Sequence, residues 1–262
     1  MQTSGIIAPL SAIALKSIMK IYYEDSMPYG EEFFSELGQC TVFSHKTVNA
    51  DMLADADVLL VRSTTTVNQQ LLANNKQLQF VGTATAGTDH INQAYLASCH
   101  IPFVSAGGCN AVAVAEYVLS AMLVMGNRLN WQLADKTVGI VGAGHVGSAL
   151  SRLLTVLGIS HKLCDPPLAQ SGDKREFVEM KEIMTCDVIT LHVPWTTTGP
   201  YATQHLFDMA RLAALHENQV LINACRGEVL DNQEALALLQ QGKKLNLVLD
   251  VWENEPDINL DL

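Results

Sequence analysis

A chain of 262 residues is long enough for two domains, because a single hydrophobic core seldom keeps growing beyond a couple of hundred residues. Hydrophobic residues make up 48% of the chain and charged residues 16%, which excludes an intrinsically disordered protein. The formal net charge of −11 repels nucleic acids and anionic membrane surfaces, so the sequence predicts neither as a partner.

The cysteines and the apolar start of the chain bear on its location. The six cysteines are Cys40, Cys99, Cys109, Cys164, Cys186 and Cys225. They form no CxxC pair and no metal-ligand spacing, so we expect reduced thiols in the core or near a site, no metal, and a cytoplasmic protein. No apolar run reaches the roughly 18–20 residues of a membrane span. Residues 1–18 are apolar but have no positive charge ahead of Ile6–Leu15, so we expect a disordered or artefactual extension before a start at Met19.

From Met19 onward, short β-rich runs alternate with helical stretches. The expected strands are KIYY, CTVF, VLLV, FVGT and IPFV, and the expected helices are Tyr29–Leu37 and Gln93–Ser98. Alternation of this kind indicates parallel strands joined by right-handed helical crossovers. Residues 19–107 are therefore predicted to form one small, doubly wound α/β domain.

A second series follows a turn at Gly107–Gly108. The nearly continuous apolar stretch Asn110–Gly126 predicts a helix buried on most sides, which would suit packing between two domains. After it, strands are expected at TVGIV, HKLC, VITLHV, VLINA and LVLDV, with helices at Val146–Leu157, Leu206–Ala214 and Asn232–Gln241. Residues 108–262 thus form the larger of two doubly wound parallel-sheet domains.

A glycine-rich turn between a predicted strand and a predicted helix indicates a dinucleotide site. Gly142 permits a tight turn, Gly144 lets the backbone approach a pyrophosphate, and Gly147 lets the helix pack closely on the strand. The next strand ends at Asp165, where an acidic residue would meet the adenosine ribose 2′-hydroxyl and repel a 2′-phosphate. The spacing predicts NAD rather than NADP. The alternative is that Asp165 is only a turn residue before Pro166–Pro167.

Two further segments follow predicted strands, at the sheet edge where ligands bind in open parallel sheets. The first is Asn223–Gly227, in which the planar fork of Arg226 is suited to a two-pronged grip on a carboxylate. The second is Asp250–Pro256, in which Glu255 would raise the pKa of a neighbouring imidazole. The alternative for Arg226 is an ordinary surface ion pair.

These two segments, together with the glycine-rich turn, resemble the D-isomer specific 2-hydroxyacid dehydrogenases. The stretches FVGTATAGTDHI, GCNAVAVAEY, LCDPP and NACRG are similar to the 4-phosphoerythronate dehydrogenases within that family, and the similarity runs from Met19 to Leu262. The resemblance implies a flavodoxin-like substrate domain followed by an NAD-binding Rossmann domain, in a homodimer when the chain is full length. It also implies NAD-dependent oxidation of 4-phospho-D-erythronate, a small phosphorylated hydroxy acid, to the 2-oxo acid in pyridoxal 5′-phosphate (vitamin B6) biosynthesis.

The same resemblance implies roles for individual residues. Arg226 would bind the substrate, and Glu255 would orient and tune a catalytic histidine. Ser63 and Thr85 would touch the substrate, although residues of these types are also ordinary at strand ends. The implied NAD contacts are the three glycines with Asp165, Val193, Ala224, Cys225, Arg226 and Asp250.

The sequence departs from the family pattern in two ways. Val193 stands where the relatives carry a threonine, which removes a hydroxyl contact but leaves the backbone contact. The chain also ends at Leu262, before the segment in which the family places its catalytic histidine, so we expect both domains to be incomplete and the oxidation to be impaired. Of the histidines present, His192 is the nearest candidate to replace it; His145 lies in the phosphate loop and His90 in the first domain.

Two other functions stay open on the sequence alone. One is a D-2-hydroxyacid dehydrogenase for another substrate, which would share Arg226 and Glu255 but lack a phosphate pocket. The other is a module that binds NAD for sensing or interaction without catalysis, which the missing histidine favours. Turnover of phosphorylated and unphosphorylated hydroxy acids separates these possibilities.

Overall fold

The computed structural model describes residues 18–255 and 257–262. The described residues divide into two compact units, one that ends at Ala106 and one that begins at Gly107. Apart from Ile18, the predicted N-terminal extension lies outside the described residues.

The first unit is built on one parallel five-stranded sheet. Its strands are β1 (Lys20–Glu24), β2 (Gln39–Phe43), β3 (Val58–Val61), β4 (Phe80–Thr83) and β5 (Phe103–Ser105), with helices α1 (Gly30–Phe34) and α2 (Gln93–Ser98). The strand order is β2-β1-β3-β4-β5, and each adjacent pair is parallel. This is the flavodoxin-like order, which confirms the predicted fold of the unit.

The second unit contains another parallel five-stranded sheet. Its strands are β6 (Thr137–Val141), β7 (Ser160–Cys164), β8 (Val188–Leu191), β9 (Val220–Asn223) and β10 (Asn246–Leu249). Its helices are α3 (Ala111–Leu129), α4 (His145–Val156), α5 (Pro166–Gln170), α6 (Met180–Ile183), α7 (Met209–Ala214) and α8 (Asn232–Gln240). The order β10-β9-β8-β6-β7 repeats that of the first unit when the strands are counted from β6. The predicted doubly wound, Rossmann-type fold is therefore confirmed.

The strands are held by their apolar side chains, which are buried on both faces of each sheet as parallel sheets require. In the second unit all four residues of β8 and of β9 are buried. In the first unit Leu59, Val61 and Val81 are fully buried in the centre of the sheet. Strand β7 forms one edge of the second sheet, and there the N–H of Val178 donates one hydrogen bond to Leu163 O at 2.8 Å.

Helix α3 is two residues longer than the sequence predicted and ends at Leu129, where Asn130 follows in a left-handed conformation. Its length and composition would suffice to cross a membrane, a test that core helices of soluble proteins also meet. Ala115, Val118 and Met122 are fully buried in a hydrophobic cluster that also contains α4 residues. The other face exposes large apolar side chains, among them Val124, so the prediction of burial on most sides was wrong.

Several predicted boundaries shift for identifiable reasons. The helix predicted from Leu206 begins only at Met209, because Phe207 pairs with Leu230 in an isolated parallel bridge and Asp208 caps the helix through the Arg211 N–H. Helix α5 was not predicted, because Pro166–Pro167 suggested only a turn. Proline is nevertheless favourable in the first turn of a helix, where its missing N–H costs nothing.

All six cysteines are free thiols, as expected, but they differ in burial. Cys164 and Cys186 are buried, whereas Cys99 and Cys109 are exposed, which corrects the prediction that all of them lie in the core or near a site. Burial raises the pKa of the Cys164 thiol to about 11, with a smaller contribution from the Asp165 carboxylate.

Candidate functional site

The glycine-rich loop joins β6 to α4 and is shaped by close backbone approaches. Gly142 has φ +90°, and a Cβ there would lie 2.4 Å from the carbonyl oxygen of His192. A Cβ on Gly147 would lie 2.0 Å from the carbonyl oxygen of Gly142. Around Gly144, in contrast, no atom lies within 4 Å of the position that a Cβ would take. The first and third glycines are needed by the fold, and the second leaves space.

That space lies at the start of α4, where the chain offers backbone N–H groups. Among the described residues no side chain caps this helix, whose N-cap is Gly144 itself. Free N–H groups and the positive end of the helix dipole favour a phosphate at this position. The loop therefore fits the pyrophosphate of a dinucleotide.

Asp165 follows β7 and lies beside the loop. Its Oδ2 accepts a hydrogen bond from the Ala143 N–H at 2.8 Å, and its Oδ1 accepts one from the Leu168 N–H at 3.0 Å, which caps α5. The carboxylate is thus both a helix cap and a fixed negative charge next to the phosphate loop. Each oxygen retains a lone pair for another donor. Its contact with a ribose hydroxyl stays a prediction.

A cavity of about 630 Å³ begins at this loop, which is the size range of small-molecule sites. Its walls include Gly142, Gly144, Asp165 and Val193. The structure therefore brings four of the predicted cofactor residues together around one cavity. Val193 contributes its apolar side chain, with Cγ1 packed 2.9 Å from the position of a Cβ on Gly142.

His192, the nearest sequence candidate for a catalytic histidine, also lines this cavity. Burial lowers its pKa to about 4, so the imidazole is neutral near pH 7. Its Nε2 lies 3.0 Å from Thr190 Oγ1, and its Nδ1 has no hydrogen-bond partner among the described residues. A base with so low a pKa is poorly matched to proton abstraction at neutral pH.

The turn after β9 carries Arg226 and is closed by a side chain that the sequence analysis did not single out. Asn223 is fully buried; its Nδ2 donates to Arg226 O at 2.8 Å, and its Oδ1 accepts from the Cys225 N–H at 3.3 Å. Burial raises the pKa of the Cys225 thiol to about 11, so this cysteine is not a nucleophile near neutral pH. The Arg226 guanidinium donates to the Cys225 carbonyl oxygen at 2.6 Å.

The segment after β10 packs directly on this turn. A Cβ on Gly227 would lie 2.0 Å from the carbonyl carbon of Trp252, so only glycine permits the approach. The Asp250 N–H donates to Asn223 O at 3.0 Å. The Asp250 carboxylate also faces Tyr117 of α3; burial and this charge raise the pKa of the Tyr117 hydroxyl. Arg226 and Asp250 therefore belong to one edge of the second sheet.

Glu255 is exposed, and its Oε1 accepts a hydrogen bond from the Trp252 N–H at 2.7 Å. Another carboxylate of this segment, that of Glu253, contacts a histidine: its Oε1 lies 2.6 Å from Nε2 of His205. Nδ1 of His205 lies 3.0 Å from Asp231 Oδ2. Sequence reasoning missed this cluster. The catalytic role of Glu255 stays a prediction.

Ser63 and Thr85 both belong to the first unit. Ser63 is exposed in the loop after β3, and this loop is held by Glu24, the last residue of β1. Glu24 is fully buried and accepts hydrogen bonds from the hydroxyls of Thr64 and Thr65 at 2.6 Å each. Thr85 Oγ1 donates to Gly87 O at 2.9 Å and lies 2.8 Å from Thr83 Oγ1.

Two further donors complete the surroundings of Glu24, namely the Ser26 hydroxyl at 2.5 Å and the Arg62 N–H at 3.0 Å. Burial acts to raise the pKa of Glu24, but the four hydrogen bonds together outweigh it and lower the pKa to about 2. The carboxylate is therefore ionised at any pH at which the protein would work. Substrate contacts by Ser63 and Thr85 stay predictions.

Comparison with known proteins places the chain in a family. Residues 118–261 match the family described as D-isomer specific 2-hydroxyacid dehydrogenase, NAD binding domain. Because this match covers more than half of the chain, the protein belongs to the D-isomer specific 2-hydroxyacid dehydrogenase family. The resemblance derived from the sequence is confirmed, and so is NAD as the cofactor of this fold.

Curated relatives narrow the similarity further. The chain is 62% identical over 241 residues to erythronate-4-phosphate dehydrogenase of Pseudoalteromonas atlantica, covering 92% of this chain and 64% of the relative. It is 51% identical over 244 residues to the enzyme of the same name from Psychromonas ingrahamii, covering 93% and 64%. The chain thus spans 64% of the length of these two relatives.

Solved structures agree on the fold. D-lactate dehydrogenase of Aquifex aeolicus in complex with NAD and lactic acid superposes with a TM-score of 0.74 at 22% identity, covering 89% of this chain and 77% of that one. NAD-bound 3-phosphoglycerate dehydrogenase of Entamoeba histolytica superposes with a TM-score of 0.76 at 22% identity, covering 92% and 82%. At this identity the likeness concerns the fold alone.

Proposed function

We propose that the protein oxidises the C2 hydroxyl of 4-phospho-D-erythronate to the ketone with NAD, in the synthesis of pyridoxal 5′-phosphate. The observation that supports this substrate above others is the 62% identity to an erythronate-4-phosphate dehydrogenase over 92% of the chain. The substrate would be an anion, and the net charge of −11 means that it needs a local cationic group. Arg226 supplies one at the carboxyl edge of the second sheet.

The residues of this chain divide the work as follows. The loop Gly142–Gly147 and the first turn of α4 bind the pyrophosphate, and Asp165 binds the adenosine ribose. The bound NAD supplies a hydride acceptor. Arg226, fixed by Asn223 and by the Gly227 contact, grips the substrate carboxylate with both prongs of its guanidinium.

Proton transfer needs a base, and none of the residues assigned above to NAD or to the substrate is matched to that step. The neutral, buried imidazole of His192 is unsuited to it, because its pKa of about 4 lies far below neutral pH. We propose, from the family resemblance, that a histidine of the region that follows Leu262 in the relatives takes the proton and that Glu255 orients it.

The experiment compares two proteins: the 262-residue chain, and the same chain extended by the C-terminal region of the Pseudoalteromonas atlantica relative. NADH formation is measured with 4-phospho-D-erythronate and with unphosphorylated D-erythronate. We expect the extended chain to turn over the phosphorylated acid, and the 262-residue chain to be slower by a factor of about 10² to 10⁴, the usual contribution of a general base. NAD binding by the 262-residue chain is the control for folding.

Three results would contradict the proposal. Equal turnover of the two acids would indicate a different substrate, and NAD binding without turnover by either chain would indicate a non-catalytic module. Turnover of the shorter chain within about tenfold of the longer one would move proton transfer into the residues described, with His192 as the first to replace. In the extended chain, Arg226→Lys should remove most activity while NAD affinity barely changes, because an ammonium group cannot make the two-pronged contact with the substrate carboxylate.

A further inference from the structure

The cofactor cavity has a wall that the glycine motif does not account for, formed by the loop from Thr196 to Thr203. The two end residues bond to each other reciprocally: the Thr196 N–H donates to Thr203 Oγ1 at 2.8 Å, and the Thr203 N–H donates to Thr196 Oγ1 at 3.1 Å. The Thr203 hydroxyl also donates to Pro194 O at 2.5 Å. The loop is therefore closed at its base and presents its tip as a unit.

The tip of this loop carries Tyr201. Its ring lines the cavity, and 37% of the residue is exposed, so it is not a core aromatic residue. Its hydroxyl accepts a hydrogen bond from Nε2 of Gln170, the last residue of α5. Helix α5 begins directly after Asp165 and lines the cavity with Pro166 and Pro167. A side-chain bond thus joins the loop tip to the helix that forms another part of the wall.

The order of groups in the cavity indicates what this part would hold. The phosphate loop and Asp165 correspond to the pyrophosphate and the adenosine ribose, so the base attached to that ribose continues past Asp165. The lining residues that directly follow Asp165 are Pro166 and Pro167, and the loop tip adds Pro200 and Tyr201, so ring surfaces are present on both of these parts of the wall. An adenine has two apolar π-faces, and an aromatic ring that is already exposed gains contact area when it covers one of them.

We propose that Tyr201 covers the adenine ring of the bound cofactor and that its bond to Gln170 is a latch which opens when the cofactor enters or leaves. The inference rests on the assignment of this cavity to NAD. It adds a residue to the site that comes from the connection between β8 and α7, away from the glycine motif. The nicotinamide end of the cofactor would make no contact with Tyr201.

The test uses fragments of the cofactor and needs no catalysis. Binding of NAD, ADP-ribose, AMP and nicotinamide mononucleotide is measured by calorimetry on the 262-residue chain and on Tyr201→Leu. We expect Tyr201→Leu to weaken NAD, ADP-ribose and AMP by about tenfold, the usual effect of removing one stacking ring. Nicotinamide mononucleotide should bind as in the unchanged chain. Tyr29→Leu, at an exposed tyrosine of the first unit, is the control.

Two variants separate the ring from the latch. Tyr201→Phe keeps the ring and Gln170→Ala keeps the whole tyrosine, so both should retain AMP affinity within about threefold while NAD associates and dissociates faster in stopped-flow measurements. Unchanged AMP affinity in Tyr201→Leu would overturn the role of the ring, and unchanged rates in both latch variants would overturn the latch. If the unchanged chain bound neither NAD nor AMP, the assignment of the cavity itself would fall instead.

Discussion

The two units have sheets of the same strand order, yet they connect the central loops of those sheets by different means. In the first unit the order reverses between β1 and β3, and the loops after these strands are joined by the buried carboxylate of Glu24. In the second unit the order reverses between β6 and β8, and the closest approach of the loops is between the backbones of Gly142 and His192, with the Val193 side chain beside them. Both positions are where ligands bind in such sheets.

The two ways of joining the loops leave different room for a ligand. A side chain that accepts four hydrogen bonds shapes a loop rigidly, but it occupies the crevice and depends on its charge. Close backbone contact requires glycine, yet it leaves the crevice empty and the N–H groups of the following helix free for a phosphate. The unit that binds the cofactor therefore joins its loops by close backbone contact, and the unit predicted to contact substrate joins them by the hydrogen bonds of a buried side chain.

The largest effect should come from adding one methyl group at Gly142, where the loops of the second unit approach through their backbones. Gly142→Ala would force a Cβ against the His192 carbonyl at a positive φ, and we expect the free energy of unfolding to fall by roughly 3 kcal/mol with loss of NAD binding. Gly144→Ala is the matched control, because its Cβ meets no protein atom. It should unfold like the unchanged chain but bind NAD roughly tenfold more weakly, since the methyl group enters the phosphate space. Denaturant unfolding and calorimetry measure both, and wild-type stability of Gly142→Ala would contradict the comparison.

Removing the charge of Glu24 in the first unit should change the free energy of unfolding by a similar or slightly smaller amount. The pKa of Glu24 falls from 4.5 to about 2 on folding, so the carboxylate stabilises the fold fully above pH 4.5 and loses this contribution as the pH falls toward 2. We expect Glu24→Gln to lower the free energy of unfolding by roughly 3 kcal/mol at pH 7. The difference from the unchanged chain should shrink between pH 4.5 and 2. A constant difference across that range would be evidence against the charge, and Glu32→Gln, at an exposed glutamate, is the control.

In the second unit Asp165 also contributes a charge, and we expect its removal to have a smaller effect, on the preference between NAD and NADP. The unchanged chain should bind NAD at least about tenfold better than NADP, because the carboxylate would face the added phosphate. Asp165→Ser should narrow that preference. Asp165→Asn keeps the size of the side chain and its capping oxygen for α5, so it separates loss of charge from loss of the cap. Equal affinities for both cofactors in the unchanged chain would remove Asp165 from its role.

The smallest effect concerns the His205 cluster of the second unit. His205 lies between Asp231 and Glu253, but its side chain is 37% exposed, so solvent screens both contacts. We expect His205→Gln to lower the free energy of unfolding by about 1 kcal/mol, because one of the two hydrogen bonds can be retained. His205 and His100 both have a positive φ, so His100→Gln is the control. A loss as large as that of Glu24→Gln would mean that the second unit depends on a side chain as much as the first.

Local pattern explains which features could be predicted from the sequence. Strands such as Val58–Val61, Phe80–Thr83 and Thr137–Val141 were predicted with the bounds that the structure has, because continuous apolar runs between turn residues define buried parallel strands. The glycine motif was found because its three positions lie within six residues of one another in the sequence.

The networks that shape the sites could not be found in this way. Glu24 meets Arg62 across 38 residues and Thr65 across 41, and His205 meets Glu253 across 48, so no short pattern marks them. Tyr201 was missed for the same reason, since its partner Gln170 is 31 residues away. A hidden carboxylate at the end of a buried strand, as at Glu24, is the one signal that could have been noticed, because a charge there requires donors.

Strand β10 has a consequence for handling the protein in solution. Among the described residues it pairs with β9 alone and forms one edge of its sheet, and all four of its residues are only half-buried. Leu247, Leu249 and Leu262 line a shallow hollow of about 260 Å³ beside it. An edge with unpaired N–H and C=O groups next to apolar side chains is a template for another strand. The apparent molar mass of the 262-residue chain from light scattering should therefore rise with concentration, and Leu247→Lys is the substitution to try first when soluble material is needed.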